Sequence, residues 1–271
     1  MATTRAPLTG KTALVTGSER GIGKGIALAM ANAGARVAAH GLANDDEARA
    51  LVTELRQAGS PDAIFLGGDL RHVSEIDTLM QRAFAWGRVD VLVNNAGVQH
   101  TDPIENVAVE VWNDILAVNL SAAFHTMRHA LPQMASAGYG RVINIASVHG
   151  LVGSVHKSPY VAAKFGLVGL SKVAALEYAS VGNAAAGGVT VNCICPGWVD
   201  TALVAPQIAE RRSQLGVSTE EAIDALLAEK QPSRRLSSPA EIARLAVFLC
   251  APEGHNITGT AIPIDGGWTA Q

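Results

Sequence analysis

The 271 residues are 48% hydrophobic, 17% charged and only 4% aromatic, with a formal net charge of −3. Lysine and arginine are scattered without a basic run, which gives no electrostatic footprint for nucleic acid or an anionic membrane surface. The opening MATTRAPLTGKTALVTG has no apolar h-region and passes straight into a strand pattern, so neither a signal peptide nor a membrane span is expected, and a cytoplasmic location is.

Short apolar runs alternate with helical patterns along the whole chain. TALVT, RVAAH, AIFLG, VDVLV, RVINIA, VTVNCI and TAIPI read as strands. They are apolar on both faces, which predicts a parallel sheet covered on each side by helices: the doubly wound, Rossmann-type α/β class, as one domain over residues 1–271.

After the first strand comes TGSERGIG, which sets Gly17, Gly21 and Gly23 in a strand-to-helix turn. Glycines there let backbone N–H groups approach a pyrophosphate at a helix N-terminus, so Gly17, Ser18, Arg20, Gly21, Ile22 and Gly23 are candidate dinucleotide contacts. An acid for the ribose hydroxyls is expected at the end of the second strand, but His40, Gly41 and Leu42 stand there. Asp45 and Asp46, behind Asn44, read as first-turn acids of the next helix. Arg20 has the reach for a 2′-phosphate, so charge alone leaves NAD and NADP both open. Asp69, at the end of the third strand, is a candidate for the adenine edge.

Further along, Leu120, Ala123, Phe124, Met127, Leu131 and Met134 form one apolar helical stripe. His125 and His129 lie i, i+4 on it, but HTMRH lacks a glutamate and a third ligand, and no metal is expected. Ser147 ends the strand RVINIA at the carboxyl edge of the sheet, where ligands bind in this architecture. Ser158 as N-cap and Pro159 at the first helical position would start a helix just before Tyr160, placing that phenol in the positive first turn. Tyr160 and Lys164 are i, i+4, with Cβ atoms about 6 Å apart. A free tyrosine has a pKa of about 10, so base catalysis near neutrality needs about 4 kcal/mol of help. An ammonium about 4 Å away supplies that much at an effective dielectric of about 20. Tyr160 is therefore the candidate general acid/base for an alcohol and carbonyl pair, with Lys164 tuning it. Cys193, Cys195 and Cys250 are an odd set without metal spacing and read as buried reduced thiols. NAAAGG at 183–188 reads as a flexible insertion. Residues 200–237 break the alternation with a charged helical excursion of the kind that forms a substrate lid. Ser238, Pro239 and Glu241 carry a cap, a first-turn proline and a capping-box acid.

TGSERGIG, NNAG at 94–97, Asn119, Ser147, the Tyr160 and Lys164 pair and PGWVDT from Pro196 resemble, in order and over essentially the whole chain, the short-chain dehydrogenase/reductase family. The resemblance implies that Ser147 and Tyr160 hold the reacting oxygen, that Lys164 lowers the tyrosine pKa and holds the nicotinamide ribose, and that Asn119 supports a proton-relay water. It adds Leu70, Asn95, Ala96, Gly97, Pro196, Gly197, Val199 and Thr201 to the cofactor contacts. NNAGVQHT, NIASVHGLVGSVHKSPYVAAK, CPGWVDTALV, EKQPS and DGGWTA are similar to the subgroup of that family acting on short D-3-hydroxy acids. That similarity implies a substrate carboxylate read by Gln99, His149, Lys157 and Gln207, with Trp198 closing the pocket. The implied reaction is oxidation of (R)-3-hydroxybutyrate by NAD to acetoacetate, as in ketone-body metabolism, in a homotetramer whose interfaces use the 120–134 helix and the C-terminus. The rival is an NADP-dependent 3-oxoacyl thioester or other ketone reductase of the same family. A second is a silent, binding-only member, against which the full Ser147, Tyr160 and Lys164 set argues. His156 and Ser154 read as ordinary loop.

Overall fold

The computed structural model describes residues 6–183 and 187–270. The expected strands form: β1 Thr12–Val15, β2 Arg36–Gly41, β3 Ala63–Gly67, β4 Val91–Asn94, β5 Tyr139–Ile145, β6 Gly188–Pro196 and β7 Ala261–Ile264. They pair in parallel in the order β3-β2-β1-β4-β5-β6-β7. The order reverses between β1 and β4, which opens a crevice at their carboxyl ends. Of the insertion expected over 183–188, residues 184–186 lie outside the described residues.

Helices cover both faces, as the two-sided apolar strands require. On one side lie α1 (Gly21–Asn32), α2 (Asp45–Gln57) and α9 (Pro239–Cys250), burying Ile26, Met30, Leu55 and Leu249 against the sheet. On the other lie α3 (Val73–Trp86), α5 (Ala122–Ala137) and α6 (Ser158–Tyr178), contributing Leu79, Met80, Met127, Met134 and Ala175. Asn44 caps α2 in a capping box with Glu47, so Asp45 and Asp46 are indeed first-turn acids. Ser238 caps α9 through Glu241 N, with Pro239 in the first turn. The three cysteines are buried and reduced.

Two local expectations fail. Phe124 is 45% exposed, while Ala123, Met127, Leu131 and Met134 face the core. The buried face of α5 runs through Ala122, Ala123, Thr126, Met127, Ala130, Leu131 and Met134, and Phe124 lies just past its edge. Before it, α4 (Val109–Leu116) runs into α5 through a π-helical turn, Ala117–Ser121. Ser158 does not cap α6. It is the first helical residue, its hydroxyl is buried without a partner, and Lys157 occupies the cap position without a side-chain bond. His129 Nε2 sits 2.7 Å from Asp77 Oδ1, and the His125 ring packs edge-on to Phe124.

The excursion after β6 contains α7 (Ala205–Leu215) and α8 (Thr219–Ala228), packed on each other. It leaves and re-enters the domain through one narrow neck. Val199 bridges Ser237, Ser237 N donates to Trp198 O at 2.9 Å, and Asp200 N donates to Ser237 O at 2.9 Å. Buried Gln231 reinforces the neck by accepting from Trp198 N at 3.1 Å and donating to Arg235 O.

Candidate active site

The crevice is a cleft of about 810 Å³ running from the glycine loop to the first turn of α6. Its glycines answer steric needs. Gly17 and Gly21 have φ of 60° and 55°, a region that disfavours side chains, and a Cβ on Gly23 would collide with Gly17 O and Asn95 Nδ2. Asn95 Nδ2 donates to the carbonyls of Thr16 and Gly17 at 3.0 and 2.9 Å, and Thr16 Oγ1 accepts from the Asn95 and Ala96 amides at 3.0 and 3.1 Å. The loop after β4 thus braces the loop after β1. On the other flank, Gly17 N donates to His40 Nδ1 at 3.3 Å, which assigns the ring proton to Nε2, donating to Gly68 O at 3.0 Å. Burial lowers the His40 pKa to about 4, so this clamp between β1, β2 and β3 is neutral.

Gly17, Arg20, Gly21, Ile22, Gly23, Asp69, Leu70, Asn95, Ala96, Gly97, Pro196, Gly197, Val199 and Thr201 all line the cleft. Ser18 does not. It is fully buried, its hydroxyl accepting from His40 N at 2.9 Å and facing His40 O at 3.3 Å, so it ties the loop to β2 instead. Asp69 is at the rim with its carboxylate clasped by Arg71, whose Nε lies 3.1 and 3.0 Å from the two oxygens, and those bonds lower its pKa to about 2. The cleft has the length, glycine cradle and helix N-terminus that a dinucleotide requires.

Ser147, Tyr160 and Lys164 meet at the inner end of the same cleft. Ser147 ends the β5 segment as the cap of a short 3₁₀ turn, its hydroxyl accepting from His149 N at 3.1 Å. Tyr160 is 8% exposed, and the two faces of the sequence pair are on one helix side as expected. The electrostatics differ from expectation. Burial raises the Tyr160 pKa above its ordinary value, opposed by a hydrogen bond with the Ser147 hydroxyl. Lys164 Nζ is 5.6 Å from the phenol ring centre and donates to Ile145 O at 2.7 Å, while burial lowers its own pKa to about 8. Asn119, carried inward by the π turn, is buried and pinned both ways to Val98: its Oδ1 accepts from Val98 N and its Nδ2 donates to Val98 O, each at 2.8 Å. A cavity of about 10 Å³, lined by Thr16, Asn94, Asn119, Thr126 and Lys164, has room for one water beside the ammonium.

A second cluster adjoins Tyr160. The His149 ring lies 6.2 Å from that of Tyr160 and 5.4 Å from that of Trp268, and Trp198 lies 5.9 Å from Trp268. Lys157 Nζ stands 5.4 Å over Trp198, and Lys230 Nζ 5.6 Å over Trp268. Desolvation and then the Lys230 charge lower the Lys157 pKa to about 8. Desolvation, with the charges of Lys157 and Lys230, lowers that of His149 to about 4. Among the described residues no carboxylate pairs with either ammonium. His149 Nδ1 and Trp198 Nε1 are buried without a hydrogen-bond partner. Uncompensated cations beside orphaned polar atoms suit a small anion.

Gln99 lines the main cleft, and Gln207 is turned back on α7, its Nε2 3.5 Å from Leu203 O. Sequence reasoning missed Lys230, Trp268 and Thr16. The first two lie in stretches already noticed, EKQPS and DGGWTA, but only the fold brings them to His149.

The short chain dehydrogenase family profile matches residues 11–212. D-beta-hydroxybutyrate dehydrogenase of Cupriavidus necator is 47% identical over 266 residues, covering 97% of this chain and 100% of that protein. Its namesake of Rhizobium meliloti is 45% identical over 262 residues, covering 96% and 99%. Among solved structures, an actinorhodin polyketide ketoreductase variant with NADPH superposes with a TM-score of 0.86 at 37% identity, covering 96% of this chain and 98% of that one. A 3-oxoacyl (acyl-carrier-protein) reductase from Agrobacterium tumefaciens with NADP bound gives 0.85 at 32% identity, covering 99% and 98%. With the glycine cradle, the parallel sheet and the serine, tyrosine and lysine at one cleft, these matches make the chain a member of the short-chain dehydrogenase/reductase family, oxidoreductases that use NAD or NADP.

Proposed function

We propose that the chain oxidises (R)-3-hydroxybutyrate to acetoacetate with NAD and runs in reverse when NADH is high. The observation that carries the substrate class is the pair of unpaired ammonium groups, Lys157 and Lys230, gathered with neutral His149 and the Trp198 indole next to Tyr160. Such a cluster favours a carboxylate a few atoms from a hydroxyl, and the names of the two hydroxybutyrate relatives support the same reading.

The cleft residues from Gly17 to Thr201 hold the cofactor. When bound there, the cofactor would supply the acceptor for hydride from substrate C3 and, in reverse, its donor. Ser147 and Tyr160 hydrogen-bond the reacting oxygen, and Tyr160 takes the hydroxyl proton during oxidation. Because burial keeps the phenol protonated at neutral pH, the resting enzyme is already the acid that ketone reduction needs, and oxidation gains as pH rises. Lys164 holds the ribose, and Asn119 fixes Val98 beside the small polar cavity through which the proton passes. Lys157 and His149 fix the carboxylate, while Gln207 reaches it when the 200–237 excursion closes as a lid and excludes water. The α5 and α6 faces leave Phe124, Phe165, Val173 and Leu176 exposed, an apolar surface that supports self-association into a cytoplasmic homotetramer.

The rival, an NADP-dependent 3-oxoacyl reductase, is favoured by Arg20 at the cleft rim and by the NADP-bound neighbours. Absorbance of reduced nicotinamide, followed with NAD and NADP against both enantiomers of 3-hydroxybutyrate, tests the proposal. Turnover of the R enantiomer with NAD is expected; turnover with neither cofactor refutes it, and activity confined to NADPH and a 3-oxoacyl thioester establishes the rival.

A further inference from the structure

No acid stands at the end of β2, but the glycine loop brings one beside it. Gly41, the last residue of β2, has no side chain, and Glu19 lies across it: a Cβ at Gly41 would collide with Cγ, Cδ and Oε1 of Glu19. Both residues line the main cleft, between the glycine cradle and Asp69. Oε1 of Glu19 is buried without a hydrogen-bond partner, and no ion pair among the described residues engages the carboxylate. The neighbouring cations are otherwise disposed. Arg20 is exposed, Lys24 pairs with Glu54 at 2.7 Å, Arg71 with Asp69, and His40 beneath Gly41 is neutral. A carboxylate oxygen held out of water without a donor is a costly arrangement, relieved by a ligand hydroxyl.

We propose that Glu19 accepts the ribose hydroxyls of the adenosine half of the cofactor and thereby selects NAD over NADP, with Gly41 kept bare to seat it. A 2′-hydroxyl donates to Oε1. A 2′-phosphate offers only acceptors and brings like charge to the same oxygen, and Arg20, exposed on the rim, does not offset that. The inference rests on the NAD reading above and goes beyond it by assigning the discrimination to a residue outside β2.

Calorimetric titration of the purified chain with ADP-ribose and with its 2′-phosphate reads the discrimination without turnover. The wild type binds ADP-ribose more tightly. Glu19→Gln, which keeps the shape, removes the repulsion and strengthens binding of the 2′-phosphate by about 10-fold or more, while Glu19→Ala weakens ADP-ribose binding by about 10- to 100-fold. Gly41→Ala, which displaces Glu19, moves the ratio of the two affinities in the same direction. A structural role alone lowers both affinities together, so an unchanged ratio in Glu19→Gln and Glu19→Ala, in a wild type that prefers ADP-ribose, overturns the Glu19 assignment and leaves the NAD reading standing. A wild type that prefers the 2′-phosphate overturns both.

Discussion

Replacing Lys157 by Met separates binding from stability, because the proposed carboxylate role and the burial of the ammonium give it opposite signs in the two. Its pKa falls from 10.5 to about 8 on burial beside Lys230, so holding it charged in the folded chain costs about 3 kcal/mol. That cost is present in full below pH 8 and is relieved as pH rises from 8 towards 10.5, the range in which the folded chain releases the proton before the unfolded chain does. Met fills a similar volume without charge. Melting at pH 7 is therefore expected at the wild-type temperature or up to about 6 °C above it, taking about 2–4 °C per kcal/mol for a chain of this size and part of the cost as recovered. Substrate binding moves the other way. Loss of a charge-assisted bond to a carboxylate is worth about 1.5–3 kcal/mol, which raises KM for (R)-3-hydroxybutyrate about 10- to 150-fold at saturating NAD. Steady-state kinetics and a thermal melt on the same preparation read both. An unchanged KM refutes the carboxylate role, and a melt several degrees lower refutes the electrostatic account of the pocket.

Other outcomes follow from the same geometry. KM for the hydroxy acid should climb above pH 8 as Lys157 loses its proton, while kcat for oxidation rises with pH because burial holds Tyr160 protonated; initial rates from pH 6 to 10 check both directions. Tyr160→Phe should lower kcat by about 10²- to 10⁴-fold and leave NADH binding, read by its fluorescence, near wild type. Gly23→Ala drives a Cβ into Gly17 O and the Asn95 amide, so NADH binding should be lost and the melt lowered, whereas Ala at Gly153, where a Cβ meets nothing, should change neither.

The parts legible in the sequence were those whose physics is local. Strands apolar on both faces belong in a covered sheet, so the buried strands β1, β4, β5 and β6 followed from their apolar runs alone. The TGSERGIG turn and the Tyr160 and Lys164 spacing likewise carry their geometry in a few consecutive residues. What failed needed through-space information. Ser158 has the right identity for a cap, yet the helix starts one residue earlier. Phe124 fits the 3.6-residue period but lies just past the edge of the face that α5 buries, a boundary set by what packs against the helix. The bond from Lys164 to Ile145 O and the burial of the phenol are likewise set by neighbours that the Tyr160 and Lys164 spacing does not contain. Glu19 could not be found by looking along β2, because it crosses from another loop, and Lys230 and Trp268 reach His149 from distant segments.

The narrow neck at Trp198, Val199 and Ser237 separates two kinds of inheritance within one chain. Everything hung from it, including α7 and α8, enters and leaves through neighbouring residues, so its length and sequence can change while the register of β6 and β7 stays fixed. Loop closure of such an appendage costs little more as it lengthens, since each doubling adds only about 0.6 kcal/mol. The sheet and its cradle can stay constant while the appendage is exchanged, and a lineage can acquire new substrates by altering that one segment without refolding the rest.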